Sequence, residues 1–246
     1  IRAKRVTTAL SSPEALFRLI TLPQLPANIL PEAIRREAEK VMPVTLDDFY
    51  LSSQVMPKSW NEIYVLMAIS PRDATDRLVK TLRKAGLVPQ VIDLAPIALC
   101  RLVKEPTAVL LSTQANYLDI AVISGGLPQV IRSLSIPGGK SSLTVKIDAI
   151  KEEMDRTVSF YNSSHQNDPI KSTVPVFICG DLLETADTKE MIAGKLGHEV
   201  SEVEFPFDAP PLFNKDKYMI NVALATKKYL PKLSIINFNA LPLEYR

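Results

Sequence analysis

The sequence predicts an α/β protein of two lobes. Strand-like and helix-like patterns alternate through its first third. A break at Lys104-Glu105-Pro106-Thr107 is then followed by three strand-like runs in succession. The chain has 246 residues, 46% hydrophobic and 23% charged, which fits a globular protein and excludes a disordered or fibrous one.

In order, Arg5 to Leu10 and Phe17 to Leu22 read as strands separated by a Ser-Ser-Pro turn. Asn28 is a cap or turn residue and Pro31 suits a first helical turn, so a helix runs to about Met42, where Pro43 blocks it. Ile34, Ala38, Val41 and Met42 share its inner face. Phe49 to Val55 and Glu62 to Ile69 alternate as two paired strands. Ser70-Pro71-Arg72-Asp73 is a helix start with Ser70 as cap; Ala74, Leu78, Leu82 and Ala85 form the stripe, and Gly86 the stop. Val88 to Ile92 is a strand and Ala95 to Val103 a helix.

Beyond the break, Ala108 to Leu111, Tyr117 to Ile123 and Gln129 to Ile136 form a meander, with Ser124-Gly125-Gly126 as a hairpin turn. A helix from Thr144 to Tyr161 presents Val145, Ala149, Met154 and Val158 inward. Strand, helix, strand and helix follow at Val174 to Cys179, Lys189 to Leu196, Glu199 to Val203 and Tyr218 to Tyr229.

Formal charge is +2, which gives no reason to expect a nucleic-acid partner. Cys100 and Cys179 lie in apolar runs and read as buried thiols. No run approaches the roughly 20 apolar residues of a membrane span, so the default expectation is the cytoplasm. The first residue is Ile1 and the chain ends in Leu-Glu-Tyr-Arg, as a piece of something longer would. Glycine is scarce at 8, weighing against a phosphate-cradling loop.

No catalytic or metal constellation emerges. His165 and His198 are far apart and lack converging partners. Gly139-Lys140-Ser141 ends like a P-loop, but Leu134 stands where the first glycine belongs. Asp47-Asp48 and Glu152-Glu153 are adjacent pairs that point apart, and Trp60 and Tyr64 read as packing anchors.

The run Leu30-Pro31-Glu32-Ala33-Ile34-Arg35-Arg36-Glu37-Ala38-Glu39-Lys40-Val41-Met42-Pro43 adds to this. It resembles the signature helix of the PilM family, actin-like inner-membrane assembly proteins of type IV pili. Leu22-Pro23 and Leu46-Asp47-Asp48 flank it as in that family, and Gly86-Leu87-Val88-Pro89 with Val91-Ile92-Asp93 resembles the family's "AGLxPxxVD" segment. Gly126-Leu127-Pro128 and Arg132 leading to Ile136-Pro137-Gly138-Gly139 resemble its "DGxP" and "IPxGG" stretches.

The resemblance implies an actin-like (FtsA/PilM-like) two-lobed fold with a small inserted α/β subdomain, the N-terminal part of the first lobe being absent. Its expected units are residues 1–103, holding the subdomain at about 12–92; 104–230, the second lobe; and 231–246, a linker and peptide. Actin-like ATPases carry a second Asp-x-Gly phosphate hairpin, which falls here at Leu111 to Tyr117 with Ser112 for the acid and Gln114 for the glycine. The adenosine loop falls at Gly180 and Asp181, where one glycine remains. The expectation is no cofactor, no metal and no catalysis, with an ATP-binding actin-like ATPase as the alternative.

The last residues, with Phe238-Asn239-Ala240-Leu241-Pro242 and Tyr245-Arg246, resemble the "INLLPxxxR" cytoplasmic peptide of PilN, the membrane protein that PilM holds. This implies a natural fusion or its imitation, with Phe238, Asn239, Leu241, Pro242, Tyr245 and Arg246 as peptide ligand. Phe238, Leu241 and Leu243 would enter pockets, and Arg35, Arg36 and Glu39 would line the groove. The implied role is a scaffold on the cytoplasmic face of the bacterial inner membrane, anchored through a following segment absent from this chain. Its partners would be a PilN-type peptide from its own tail or a neighbouring chain, other platform and motor proteins, and further copies of itself, not nucleic acid. The cytoplasmic domain of a type II secretion platform protein is a second alternative.

Overall fold

The computed structural model describes residues 4–10, 15–42, 44–137, 141–183, 186–210, 213–228 and 235–246. The Gly139-Lys140 half of the P-loop-like run, and Tyr229, lie outside them.

Strands β1 (Arg5–Leu10) and β2 (Leu16–Pro23) open the chain, followed by helix α1 (Leu30–Val41). Ile29 caps α1, so Asn28 does not; Pro31 sits in the first turn as expected. Next come β3 (Phe49–Pro57), β4 (Glu62–Pro71), α2 (Arg72–Lys84), β5 (Val88–Leu94) and α3 (Ala95–Cys100). Ser70 is not the α2 cap. β4 continues through it to Pro71, and its buried hydroxyl accepts from Thr75 Oγ1 at 3.2 Å.

β4 is central in an antiparallel β2-β4-β3 sheet. The two-residue period of a strand divides its side chains between two cores. Ile63, Val65, Met67 and Ile69 pack with Ile34, Ala38 and Met42 of α1. Leu66 and Ala68 face the other way, toward Val79 of α2, Ile92 of β5 and four residues of the C-terminal segment. β1 and β5 pair in parallel as a separate two-stranded sheet.

The second lobe is built on β6 (Ala108–Gln114), β7 (Tyr117–Ser124), β8 (Leu127–Ser135), β9 (Val176–Gly180) and β10 (Val200–Glu202), in the order β10-β9-β6-β7-β8. Gly125 and Gly126, at φ +62° and +73°, make the tight β7–β8 turn that residues with a Cβ would resist. α4 (Leu143–Ser164) and α5 (Ala186–Leu196) cover one face through Ile147, Met154 and Ile192. α6 (Lys215–Ala225) and α3 cover the other through Met219, Ala223, Ala98 and Leu99. Cys100 and Cys179 are buried there, and burial pushes both thiols up to about 12.

Three further sequence expectations fail in whole or in part. Val145 is 48% exposed because the inner stripe of α4 runs through Ile147, Ile150, Met154, Thr157 and Tyr161 instead. Trp60 is 90% exposed at the β3–β4 hairpin tip and is not a packing anchor among the described residues. Glu152 and Glu153 do not diverge fully, since both reach Arg156, at 2.6 and 2.7 Å.

Candidate functional site

Residues 235–246 lie in a cleft between β5, α2 and the inner face of β3 and β4. Alternate residues of a parallel strand direct their backbone groups to alternate edges. Gln90 and Ile92 of β5 thus face away from β1 and toward the tail. Ala240 N donates to Ile92 O at 2.7 Å. Asn239 completes the match with its side chain: Ile92 N donates to its Oδ1 at 3.2 Å and its Nδ2 donates to Gln90 O at 3.3 Å. Its Oδ1 also accepts from Leu241 N at 2.9 Å, which bends the tail locally. The tail runs antiparallel to β5, with Phe238 near Asp93 and Asn239 near Gln90.

Gln54 on β3 holds the tail's start by its amide. Its Nε2 donates to Ile235 O at 2.7 Å, and Asn237 N donates to its Oε1 at 2.8 Å. At the other end the Tyr245 hydroxyl donates to Asp76 of α2 at 2.8 Å, and Tyr50 donates to Asp76 at 2.9 Å and also to Glu244. Arg83 Nη2 donates to Tyr245 O at 3.1 Å, with its guanidinium 5.1 Å from the ring centroid. The Asp76 carboxylate, by accepting from the Tyr245 hydroxyl, raises that group above the ordinary phenol value. Arg246 folds back, its Nε donating to Leu241 O at 3.0 Å.

Between these ends the tail is core. Ile236, Phe238, Ala240 and Leu241 are each no more than 3% exposed and pack with Leu10, Phe17, Met56, Leu66 and Val79. Lys227, in the 3-10 turn after α6, donates to the Phe238 carbonyl and to Asp93 Oδ2, the latter at 2.9 Å. Asp93 also pairs with Arg101 at 2.9 Å, both being almost fully buried. Burial lowers the Lys227 ammonium from its usual range, and Asp93 opposes that shift. Lys227 ties second lobe, first lobe and tail together.

Of the predicted ligand residues, Phe238, Leu241 and Pro242 are buried, and Asn239, Tyr245 and Arg246 make the polar contacts above. Leu243 does not enter a pocket: it is 79% exposed on a 3-10 turn at Leu243–Tyr245. Arg35, Arg36 and Glu39 do not reach the tail, because α1 covers the opposite face of the β2-β4-β3 sheet. Arg35 pairs with Glu39 and Arg36 with Glu32 on the helix surface. Gln54, Asp76, Arg83, Gln90 and Lys227 take the place expected of them, and none carries a motif that would single it out.

The positions expected of a degenerate nucleotide site, Ser112, Gln114, Gly180 and Asp181, converge elsewhere, at the β6–β7 hairpin. Ser112 is buried, opposite Asp119 of β7 and Cys179 of β9. Gln114 pairs with Tyr117, and Ala115 takes φ +52° at the turn. The Ala115 amide donates to Asp181 Oδ2 at 2.5 Å. Asp181 Oδ1 is buried with no hydrogen-bond partner among the described residues. Gly180, at φ +112°, crosses Thr113 so closely that a Cβ would lie 2.0 Å from Thr113 O. Leu182 N donates to Thr113 Oγ1 at 3.2 Å, and the cavity beside this crossing measures about 10 Å³, room for one water at most. The residues present do not fit a nucleotide phosphate at this hairpin. Among the described residues no group of acids, histidines and cysteines could hold a metal.

A solved structure described as a PilM-PilN type IV pilus biogenesis complex matches with TM-score 0.73 and 21% identity, covering 92% of this chain and 80% of the other. The cytoplasmic domain of EpsL, an inner membrane component of the type II secretion system of Vibrio cholerae, matches at TM-score 0.53 and 9% identity, covering 98% and 79%. A Bacteroides thetaiotaomicron protein with an actin-like ATPase fold and unknown function matches at TM-score 0.48 and 10% identity, over 91% and 74% of the two chains. No curated protein sequence matches the chain. The fold is actin-like. The family described as type IV pilus assembly protein PilM matches residues 1–132, more than half of the sequence, and the chain belongs to that family.

Proposed function

We propose that this chain is a non-catalytic scaffold of the type IV pilus inner-membrane platform, and that its cleft holds a PilN-type Asn-x-Leu-Pro peptide. The observation that carries this reading is the seating of residues 235–246. An extended segment adds to the free edge of β5, buries alternate apolar side chains, and has its asparagine satisfied by strand backbone. The tail lies beyond the segment matched to the PilM family, as a fused partner peptide would. The likeness to a structure described as a PilM-PilN complex supports the same partner. In this chain the peptide is its own tail; a neighbouring protomer's tail could take its place and link the two.

The Asp181 contact with the Ala115 amide, and Gln114 where the hairpin needs glycine, weigh against nucleotide chemistry. A role at the cytoplasmic face of the inner membrane accords with the pilus and secretion relatives. Among the described residues no helix is long and apolar enough to cross a membrane.

The test is a titration of a labelled peptide spanning Ser234 to Arg246 into a chain ending at Lys232, with Asn239→Ala as control. Saturable binding that the substitution weakens is the expected result. A folded body that ignores the peptide would sink the reading. An ATP titration of the full chain decides the ATPase alternative: thermal stabilisation by nucleotide would support it.

A further inference from the structure

We propose that the end of the molecule where the tail leaves its cleft docks on an anionic phospholipid surface. β1 and β5 both start there: Val88 pairs in register with Arg5, and Val88 N donates to Lys4 O at 2.7 Å. α2 finishes at the same end, only a short turn before Val88, and brings Lys80, Arg83 and Lys84. Lys80 lies on the helix face between Asp76 and Arg83, the two residues that grip Tyr245. The tail runs antiparallel to β5 and so delivers Arg246 toward this end. Six cations gather around one edge.

Their surroundings differ from those of four other cations on α1 and α2, although Lys171 and Lys217 on the second lobe likewise form no ion pair among the described residues. Arg35, Arg36, Lys40 and Arg77, on the neighbouring helix or on the same one, each pair with a carboxylate about one turn away. None of Lys4, Arg5, Lys80, Arg83, Lys84 and Arg246 pairs with a carboxylate among the described residues. The acids nearby, Asp76 and Glu244, accept from tyrosine hydroxyls and keep their charge, so the six cations outnumber them by four. A chain with a formal charge of only +2 thus concentrates positive potential at one end.

Two exposed aliphatic side chains sit within this edge, Leu243 at 79% and Val88 at 49%. Lysine and arginine beside shallow aliphatic groups match the boundary between headgroups and acyl chains. Single-stranded nucleic acid would call for open aromatic faces, and the rings here, Tyr245 and Tyr50, lie under the guanidinium groups of Arg83 and Arg72. The proposal goes beyond the peptide reading and holds whether or not the tail is a PilN segment.

The experiment is sedimentation of the full chain with vesicles of phosphatidylcholine alone or mixed with phosphatidylglycerol. Lys80→Glu/Lys84→Glu is compared with Lys171→Glu/Lys217→Glu, exposed sites on the second lobe that change total charge equally. Binding to the anionic vesicles is expected to weaken at least about tenfold in the first variant and much less in the second. It should also fade between about 50 and 300 mM salt. Equal losses in both variants, binding no better than to phosphatidylcholine alone, or tighter binding to a thymidine oligonucleotide at the same salt would each overturn the proposal. Thermal melts of both variants in the absence of lipid establish that the comparison is between folded proteins.

Discussion

The tail cleft and the β6–β7 hairpin solve opposite problems with the same material. In the cleft, backbone groups of β5 left over after pairing with β1 are met by a segment distant in sequence. At the hairpin, the backbone amide of Ala115 at the turn is met by the neighbouring Asp181. One place is open to an added strand; the other is closed from within. Buried polar groups must find partners, and which partner they find decides whether a fold keeps a ligand site or loses it.

The largest expected effect breaks the cleft. Phe238→Ala removes a side chain that is 1% exposed from a shared core, so the full chain should lose about 3–5 kcal/mol, read as a fall in denaturation midpoint. A loss under about 1 kcal/mol would mean that the tail is not packed as described.

The next test sharpens the hairpin side. Burial pushes the Asp119 carboxyl up to about 6 from 3.8, against the opposing hydrogen bond from Ser133. A carboxyl raised on folding binds its proton more tightly in the native state, so its ionisation subtracts stability as pH climbs from about 4 to 6, and fully above that. Asp119→Asn should therefore stabilise the chain by up to about 3 kcal/mol near pH 8 and scarcely at all near pH 4. Equal gains in denaturant midpoint at both pH values would remove ionisation from the explanation.

Asn239→Ala returns to the cleft with a smaller effect. It takes away three hydrogen bonds and leaves the Ile92 amide unmatched, worth about 2 kcal/mol. Faster amide exchange should concentrate at Ile92 and Leu241; unchanged exchange there would count against the side-chain bridge. Smallest of all is Asp181→Ala, expected to shift stability by less than about 1 kcal/mol. It should not create a nucleotide-dependent thermal shift, since Gln114 and the Gly180–Thr113 crossing remain. A clear shift with ATP would show that the plug alone closes the site.

Much of this fold was legible. The alternation in Phe49 to Val55 and Glu62 to Ile69 reflects a strand pair lying between two cores, and the Gly125-Gly126 turn needed its positive φ angles. That Phe238 is buried and Asn239 hydrogen-bonded was legible too, because both stand in a run that resembles a peptide motif. The cleft's own residues were not. Gln54, Asp76 and Gln90 act through ordinary amides, a carboxylate and a carbonyl, so only the pairing of β3 and the crossing of α2 make them a site. The place of Arg35, Arg36 and Glu39 on the signature helix points to the groove, but a helix's sequence does not say which side of a sheet it covers, and α1 covers the side away from the tail. Ser70 misled for a related reason: a serine-proline pair marks a helix start locally, yet β4 pairs through it with β3.

Four buried members of the first lobe's core belong to the final residues, while Leu10 and Phe17 belong to the beginning. Contacts between opposite ends of a chain form late, and a chain emerging from the ribosome presents its early half first. During synthesis the edge of β5 and the apolar wall around Leu66 and Val79 must wait, uncovered, for the tail to be made.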